Sequence, residues 1–361
     1  MKRYRNPQQI SLFDMPENNG IFERERERES RKPRPRRLRV LHTYKDIISV
    51  KNLLISWQEF VHDKKKRKDV AEFLVRFLDQ TLKLHQELKE ETYQHGGYEA
   101  FKLNDPKPRD IHKALVRDRL VHHALCRIIY PFFDRKFIHD SYSCRVGKGT
   151  HAAMNRFRTF AREVSRNDRR TCWVLKCDIR KFFANIDHEI LKAILGKHIK
   201  NKSVIWLCGQ IIDSFHTEGN ASIGLPLGNL TSQLFVNVYM NEFDHFMKRE
   251  LKAKRYVRYA DDFVILQNDK TYLENLLPQI SKFLETKLKL SLHPNKVSIA
   301  TFASGVDFLG WVHFPTHRVL RNATKWRMLR KIERECTPQT LASYKGMLSH
   351  GNAYKLQSTL Q

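Results

Sequence analysis

The chain has 361 residues, 41% of them hydrophobic, which excludes a disordered protein and is enough for about two or three subdomains around a sizeable core. Lys and Arg total 66 against 39 Asp and Glu, and the net charge of +27 indicates a polyanionic partner, most simply a nucleic acid. Charge alone leaves open a basic surface without such a partner. No stretch is long and apolar enough for a membrane helix, so no membrane partner is expected.

The first forty residues differ from the rest. The stretch "FERERERESRKPRPRR" alternates in charge and then becomes rich in Arg and Pro. It has no apolar stripe to anchor a helix. We expect residues 1–40 to form a flexible basic arm, which either touches RNA or only increases solubility.

The six cysteines lack the spacing of a zinc site or of a disulfide framework. This pattern is typical of a reducing compartment, so we expect a cytoplasmic protein in which most cysteines are small core residues.

Residues 41–170 are predicted to be mainly helical. Apolar residues recur at three- and four-residue steps between Tyr44 and Tyr93. Asn104–Phe137 begins with Pro breaks and then predicts a helix, part core and part basic, that ends at Pro131. Ser141–Phe157 reads as a Gly-containing basic loop that leads into another helix.

The rest of the chain mixes strands and helices. The run Cys172–Cys177 predicts a strand that reaches Asp178, and Tyr256–Leu266 predicts two β-segments around Asp261 and Asp262. Helices are expected at Thr231–Leu251 and Tyr272–Leu288, with short strands near Val297–Thr301 and Asp307–His313. The basic C-terminal segment places Trp326, Leu329 and Ile332 on one helical stripe.

The acids Asp178, Asp261 and Asp262 lie where apolar β-runs end. A desolvated carboxylate without a partner costs several kcal/mol, so acids that meet at one sheet edge repel one another unless cations lie between them. Two Mg²⁺ ions held by carboxylates can activate a hydroxyl and stabilise the leaving oxygen of an in-line phosphoryl transfer. An Asp-Asp pair by itself is more often a turn. With a third acid at a strand end and a basic chain, a metal site is the better interpretation.

The blocks "CDIRKFF", "YADD", "KPRDIHKALVRDRLVHHAL", "SYSCRVGKGTHAA" and "VDFLGW" together resemble reverse transcriptases of the prokaryotic, group II intron-like family. The resemblance covers nearly the whole chain after about Tyr44. It implies an α+β, right-hand polymerase fold with fingers, a palm built on an antiparallel sheet, and a small helical thumb. The implied division is an arm at 1–40, N-terminal helices and fingers at 41–170, palm at 171–314 and thumb at 315–361.

The same resemblance implies roles for individual residues. Asp178 and Asp261 would be catalytic and hold the metals, with the backbone of Ile179, and Asp262 would act less directly. The expected cofactor is a pair of Mg²⁺ ions, for which Mn²⁺ can substitute. The incoming deoxynucleotide triphosphate would be bound by Arg145, Lys148, Phe183, Leu227, Gly228 and Lys296. Among these, Phe183 would exclude a ribose 2′-hydroxyl, with an ordinary core Phe as the alternative, and Lys296 would protonate the departing pyrophosphate. Template and duplex contacts are expected from Lys107, Arg109, Arg117, Arg119, Tyr259, Arg327, Arg330 and Lys331.

The string "GLPLGNLTSQ", Gly224–Gln233, resembles one subgroup, the reverse transcriptases of diversity-generating retroelements. Most reverse transcriptases carry Gln where this chain has Leu227, and Pro where it has Gln233. The resemblance implies that a template-repeat RNA is copied into cDNA with frequent errors opposite adenine. It also implies an RNA–cDNA duplex as partner and an oligomeric accessory variability protein, in a prokaryotic or phage-encoded system.

Leu227 offers a physical reason for low fidelity. A Gln can hydrogen-bond around the nascent pair and Leu cannot, which removes roughly 0.5–1.5 kcal/mol of discrimination, about a several-fold to tenfold change. This is too small to explain a high error rate alone, so Arg145 and the template path are expected to contribute.

Two other functions fit the sequence. A retron-type or phage-defence reverse transcriptase would share the three acids but normally has a different loop before them. A non-enzymatic RNA-binding scaffold with a retained polymerase fold would not need Asp178, Asp261 and Asp262, so the intact acids favour an enzyme.

Overall fold

A computed structural model describes residues 43–103 and 108–358. They form two compact units whose segments alternate along the chain. The first, which we call the helical unit, contains the described residues up to Ile138 together with Lys181–Asp244 and Lys287–Leu290. The second, the sheet unit, contains His139–Arg180, His245–Thr286 and the described residues from Ser291 onward. The predicted arm at 1–40 lies outside the described residues, and the predicted boundaries of fingers, palm and thumb stay predictions.

The helical unit contains a single two-stranded antiparallel hairpin among its described residues, and otherwise helices and loops. The hairpin pairs β1 (Tyr98–Leu103) with β2 (Arg109–Ala114), where the sequence indicated only Pro breaks. The helices are α1 (Tyr44–Ile48), α2 (Val50–Val61), α3 (Lys68–Val75), α4 (Phe77–Lys89), α5 (Val116–Asp134), α7 (His188–His198), α8 (Lys202–Ile212) and α9 (Leu230–His245). The π-turn at Phe246–Glu250 that follows α9 in the chain is counted with the sheet unit.

Buried polar groups join these helices. The amide of Asn52 in α2 donates to the carbonyl of Ile47 at 2.8 Å and to that of Ala124 in α5 at 3.0 Å. The carboxylate of Asp187 caps α7 by accepting from the backbone N–H of Ile190 at 2.9 Å. Such caps satisfy N–H groups that have no partner within their own helix.

The prediction that Pro131 ends its helix was wrong, since α5 continues to Asp134. Proline removes one backbone donor and crowds the carbonyl four residues earlier, at a cost of about 3 kcal/mol that packing elsewhere has to offset. Phe133 and Phe137 are both buried beyond it, and their burial stabilises this last turn.

The sheet unit is built on a four-stranded antiparallel sheet in the order β4-β5-β3-β6. Its central strand β3 (Trp173–Asp178) pairs with β5 (Asp262–Gln267) and with β6 (Ser298–Thr301). The edge strand β4 (Tyr256–Tyr259) forms a hairpin with β5. These strands and the position of Asp178 at the end of β3 agree with the sequence predictions.

Helix α6 (Thr150–Ser165) covers one face of this sheet. Its Phe157 and Phe160 join a buried cluster with Val174 from β3, Val257 from β4 and Val264 from β5. A helix that buries its apolar side on the sheet makes this face dry and rigid. The strand ends that carry the acids are therefore held by a packed core.

The remaining elements of the sheet unit are α10 (Lys270–Leu288), the three-stranded antiparallel sheet of β7 (Val306–Phe308), β8 (Trp311–His313) and β9 (Arg318–Leu320), and helices α11 (Asn322–Arg334), α12 (Pro338–Leu348) and α13 (Tyr354–Ser358). Trp311 of β8, Leu320 of β9, Met328 of α11 and Leu348 of α12 belong to a second buried core. Leu329 and Ile332 pack against this core, as predicted. Trp326 does not share their buried stripe, since it is 56% exposed and the core position is filled by Met328.

The fold class prediction is confirmed, because the described residues form an α+β protein with antiparallel sheets. All six cysteines are free thiols, and four of them are buried. Within residues 43–103 and 108–358, no helix is both long and apolar enough to cross a membrane.

Candidate active site

The three predicted acids meet at one edge of the four-stranded sheet. Asp178, the last residue of β3, is the register partner of Asp262, the first residue of β5. Asp261 lies in the tight turn between β4 and β5, and its carbonyl accepts a hydrogen bond from the backbone N–H of Ile179 at 3.2 Å. Ala260, just before it, has a positive φ of 53°, which a turn this tight requires. Strand pairing thus places the acids together.

The crowding of carboxylates is visible in their pKa values. Burial, together with repulsion from Asp262 and Asp178, raises the pKa of Asp261 to about 7. Burial also raises the pKa of Asp262, with repulsion from Asp178 and Asp307 opposed by the nearby Lys176 and Lys296. Negative charge is therefore unfavourable at this edge, and a cation bound there would be stabilised.

Lys296 is the cation that lies against these acids. Its ammonium Nζ is 2.9 Å from Oδ1 of Asp178. The loop that carries it is fixed to the end of β3, because the backbone N–H of His293 donates to the carbonyl of Asp178 at 2.8 Å. The Lys296 side chain is 43% exposed, so it can leave this ion pair without a large burial cost.

The donor set fits a hard divalent cation in its chemistry. Carboxylates and a backbone carbonyl are the oxygen ligands that Mg²⁺ prefers. Among the described residues, however, no group of three or more His, Cys, Asp or Glu side chains is arranged to hold a metal ion. Mg²⁺ sites that act on nucleotides commonly use one or two carboxylates and are completed by substrate phosphates. Asp178 and Asp261 could supply such a partial site, with the carbonyl of Ile179 beside them.

The basic loop before α6 belongs to the same unit. Gly147 and Gly149 have positive φ values of 67° and 100°, which shape the turn. The Arg145 guanidinium donates from Nη1 to the carbonyl of Ser141 at 2.9 Å, and Lys148 donates from Nζ to the carbonyl of His139 at 3.0 Å. The loop therefore presents two cations and the start of a helix, a combination suited to a phosphate group.

Tyr259, predicted to contact nucleic acid, precedes the turn of the acids. Its hydroxyl accepts a hydrogen bond from Oγ1 of Thr150, at the start of α6, at 3.1 Å. Tyr259 thus links the hairpin of the acids to the end of the basic loop.

Phe183, Leu227 and Gly228 all lie in the helical unit. The backbone N–H of Leu225 donates to the carbonyl of Phe183 at 2.8 Å, so the two segments are in contact. Phe182 is 3% exposed and fills the core, whereas Phe183 is only partly buried. The adjacent rings therefore differ in environment, and Phe182 is the one that is fully part of the core.

The Gly224–Asn229 loop is fixed to the hairpin of the helical unit. The backbone N–H of His112 in β2 donates to the carbonyl of Leu227 at 3.1 Å, and the amide of Asn229 donates to the carbonyl of His112 at 2.8 Å. Gly228 has a positive φ of 103°, and a Cβ there would come within 2.9 Å of Cγ2 of Ile111. The loop requires glycine here, and the backbone of the partly buried Leu227 is held by its hydrogen bond to β2.

The predicted nucleic-acid contacts divide into two groups. Arg117 forms an ion pair with Glu87, and Arg119 forms one with Asp69, so both have structural partners within the helical unit. The other predicted contacts occupy different places: Lys107 lies outside the described residues, Arg109 begins β2, and Arg327, Arg330 and Lys331 lie on α11.

Sequence reasoning missed two buried charges, Arg258, which lies three residues before Asp261, and Asp140, whose carbonyl accepts from the backbone N–H of Arg258 at 2.9 Å. Asp140 is 5% exposed and accepts from Nε of Arg156 at 2.8 Å, and the nearby cations hold its pKa below the ordinary value despite burial. Arg258 is fully buried in β4. Its signal in the sequence is its place in the predicted β-segment directly before the acids, where a charged side chain has to be hydrogen-bonded if the strand is buried on both faces.

Comparison with known proteins places this geometry in a family. Residues 104–313 match the family model described as "Reverse transcriptase (RNA-dependent DNA polymerase)". Protein YkfC of Escherichia coli (strain K12) is 26% identical over 253 residues, which cover 60% of this chain and 64% of that protein. The group II intron-encoded protein LtrA of Lactococcus lactis subsp. cremoris is 24% identical over 298 residues, 63% of this chain and 49% of that protein. The chain thus spans between about half and two thirds of the length of these relatives.

Among solved structures, an apo telomerase of Candida tropicalis truncated from its C-terminal domain is similar with a TM-score of 0.48 and 12% identity, covering 68% of this chain and 60% of that one. A likeness at this level adds nothing to the assignment. The match to the family model supports the assignment, because it spans more than half of the chain and includes both the strand of Asp178 and the hairpin of Asp261 and Asp262. It is also a polymerase family, in agreement with the predicted right-hand polymerase fold. The chain belongs to the reverse transcriptase (RNA-dependent DNA polymerase) family.

Proposed function

We propose that this chain is an RNA-directed DNA polymerase, which extends a DNA primer on an RNA template by nucleotidyl transfer from deoxynucleotide triphosphates. The observation that carries the proposal is the sheet edge at which Asp178 and Asp262 are register partners and Asp261 lies in the adjoining turn. The similarity to a group II intron-encoded protein over 63% of this chain supports the same activity.

In this proposal the carboxylates of Asp178 and Asp261 and the carbonyl of Ile179 would hold the catalytic cations. Asp262 lies next to these ligands and has a less direct role. The bound cations, two Mg²⁺ or Mn²⁺ ions, would activate the primer 3′-hydroxyl and stabilise the leaving phosphate oxygens. Asp178 then has two states. It pairs with the Lys296 ammonium in this structure, and with substrate bound it would hold a cation instead, which would free Lys296 to approach the pyrophosphate.

Lys296 is proposed to deliver a proton from Nζ to that pyrophosphate. A positioned general acid typically contributes 10²–10⁴-fold to a rate. The 2.9 Å ion pair keeps the ammonium beside the reacting edge before substrate arrives, and the exposed side chain can reorient.

Selection of the incoming nucleotide is assigned to two segments. Arg145 and Lys148 in the basic loop are proposed to bind the triphosphate. Phe183 is proposed to exclude a ribose 2′-hydroxyl, which its partly buried position permits. Leu227 and Gly228 are proposed to line the nascent pair, where Leu227 supplies no hydrogen bond.

We further propose the diversity-generating subtype, in which a template-repeat RNA is copied with errors opposite adenine. The Leu227 side chain supports this, because an apolar residue at a position for Gln removes one discriminating contact. The proposal includes an oligomeric accessory variability protein as partner. The chain would act in the cytoplasm of a prokaryote and would be encoded by that cell or by a phage. The template and duplex would be bound by Arg109, Tyr259, Lys107, Arg117, Arg119, Arg327, Arg330 and Lys331, largely through phosphates.

The double variant Asp261→Ala, Asp262→Ala tests the activity against the scaffold alternative. A polymerase loses cDNA synthesis and its biological effect together, whereas a scaffold keeps the biological effect. The subtype is tested by sequencing the cDNA that the wild type makes on a defined RNA. Errors concentrated opposite adenine support it, and accurate cDNA would favour a retron-type or defence enzyme.

A further inference from the structure

Arg258 is the largest side chain that is fully buried among the described residues. It lies in β4, three residues before Asp261. Taking a guanidinium out of water costs several kcal/mol unless its donors are satisfied with good geometry. An arginine at this place therefore needs a reason, and its hydrogen bonds supply one.

The first of these bonds fixes the turn of the acids. Nη1 of Arg258 donates to the carbonyl oxygen of Ala260 at 3.0 Å. That carbonyl belongs to the peptide unit whose nitrogen is the backbone N of Asp261, so the bond sets the plane of the peptide that leads into Asp261. Ala260 also has a φ of 53°, a left-handed conformation that is unfavourable for a non-glycine residue. The guanidinium stabilises a turn that is otherwise strained.

The second bond reaches the basic loop. Nη2 of Arg258 donates to Oγ of Ser141 at 3.0 Å. The carbonyl of the same Ser141 accepts from Nη1 of Arg145 at 2.9 Å. The backbone adds two more links, since Arg258 N–H donates to the carbonyl of Asp140 at 2.9 Å and Tyr142 N–H donates to the carbonyl of Arg258 at 2.9 Å. Arg258 and its strand hold the start of the loop against the hairpin.

We propose that Arg258 is a positioning residue that fixes the Asp261 turn through the Ala260 carbonyl and couples this turn to the Arg145 loop through Ser141. The inference rests on the proposed polymerase function. Arg258 then has two roles, since the bond to Ala260 orients the cation ligands and the bond to Ser141 orients the group that meets the triphosphate. A displacement of about 1 Å at either place is enough to slow such a reaction strongly.

Two variants separate the two roles. Arg258→Lys keeps the charge but loses the planar fork that reaches both acceptors. Ser141→Ala keeps the guanidinium, its bond to Ala260 and the two backbone links, and it removes only the side-chain hydrogen bond from Arg258 to the loop. The matched control is Arg255→Lys, in the same segment, where Nε lies 3.5 Å from Glu163 and the side chain is 36% exposed.

Three quantities are measured on each full-length variant: Mn²⁺ affinity by electron paramagnetic resonance, binding of a fluorescent deoxyadenosine triphosphate, and the apparent Tm. For Arg258→Lys we expect about tenfold weaker Mn²⁺ binding and weaker nucleotide binding. For Ser141→Ala we expect nucleotide binding weakened about threefold to tenfold and Mn²⁺ binding within twofold of the wild type. The control should match the wild type in both.

A purely structural role for Arg258 would lower the Tm and leave both affinities of the folded protein unchanged, and that result would overturn the inference. If Arg258→Lys fails to fold, the test rests on Ser141→Ala. Unchanged nucleotide binding in Ser141→Ala would refute the coupling of the Asp261 turn to the Arg145 loop. Both binding readouts are independent of turnover. A wild type that binds Mn²⁺ and nucleotide but never extends a primer would count against the proposed function, while the variants would still test the positioning role.

Discussion

Replacing Asp261 by Asn should stabilise the metal-free protein while abolishing polymerase activity. The pKa of Asp261 is raised from 3.8 to about 7 by burial and by the neighbouring Asp262 and Asp178. An acid whose folded-state pKa is raised is penalised when it ionises, so stability is lost as pH rises from about 4 through 7. The full shift in the pKa of Asp261 corresponds to a loss of roughly 4 kcal/mol in the free energy of unfolding. Because Asp261 is partly exposed, about 1–3 kcal/mol is the realistic gain on neutralising it.

The assay is thermal unfolding in EDTA at pH 8 and at pH 5, for the wild type, Asp261→Asn and the control Glu335→Gln at an exposed site. We expect the Asn variant to melt a few degrees above the wild type at pH 8, and the difference to shrink at pH 5, where Asp261 is protonated. Mg²⁺ at pH 8 should raise the Tm of the wild type and raise that of the variant less. An Asn variant that is less stable than the wild type at pH 8 would refute the account of crowded carboxylates.

Three substitutions test the proposed roles in turnover. Leu227→Gln should lower misincorporation opposite template adenine by about several-fold to tenfold, read by cDNA sequencing, and an unchanged error spectrum would contradict the fidelity role. Phe183→Val should reduce discrimination against ribonucleotides by roughly 10- to 100-fold in competitive incorporation, whereas Phe182→Val should act mainly on stability because Phe182 is the buried ring. Lys296→Met should slow single-nucleotide incorporation by about 10²-fold or more with primer–template binding unchanged, and a wild-type rate would remove Lys296 from the chemistry.

The site hairpin was predictable because its signals are local. Short apolar runs on both sides of two acids predict strands that turn at the acids, and β4 and β5 do so. The partner strand was predictable as well, since the run before Asp178 has the length and composition of a buried strand. That the two strands pair in the register Asp178 to Asp262 comes from sheet assembly, and the resemblance to reverse transcriptases implied only that these acids act at one site.

Other features depend on tertiary packing and left no clear local signal. Pro131 reads as a helix end, but the buried Phe133 and Phe137 keep the last turn of α5 in place. Trp326 reads as a core residue by its spacing, but Met328 occupies the buried position. The sequence places Arg258 in a predicted β-segment, but what satisfies its buried guanidinium is apparent only from the fold, where Ser141, distant in sequence, supplies an acceptor.

The central claim, RNA-directed DNA synthesis at the Asp178–Asp261–Asp262 edge, is tested most directly by primer extension. The wild type and Asp261→Asn, each with any co-expressed partner, would be given a DNA primer on a defined RNA template with Mg²⁺ and deoxynucleotide triphosphates. We expect template-directed cDNA from the wild type and none from the variant. Failure of the wild type to extend even as a complex with its cognate RNA and partner, or equal extension by the Asn variant, would contradict it.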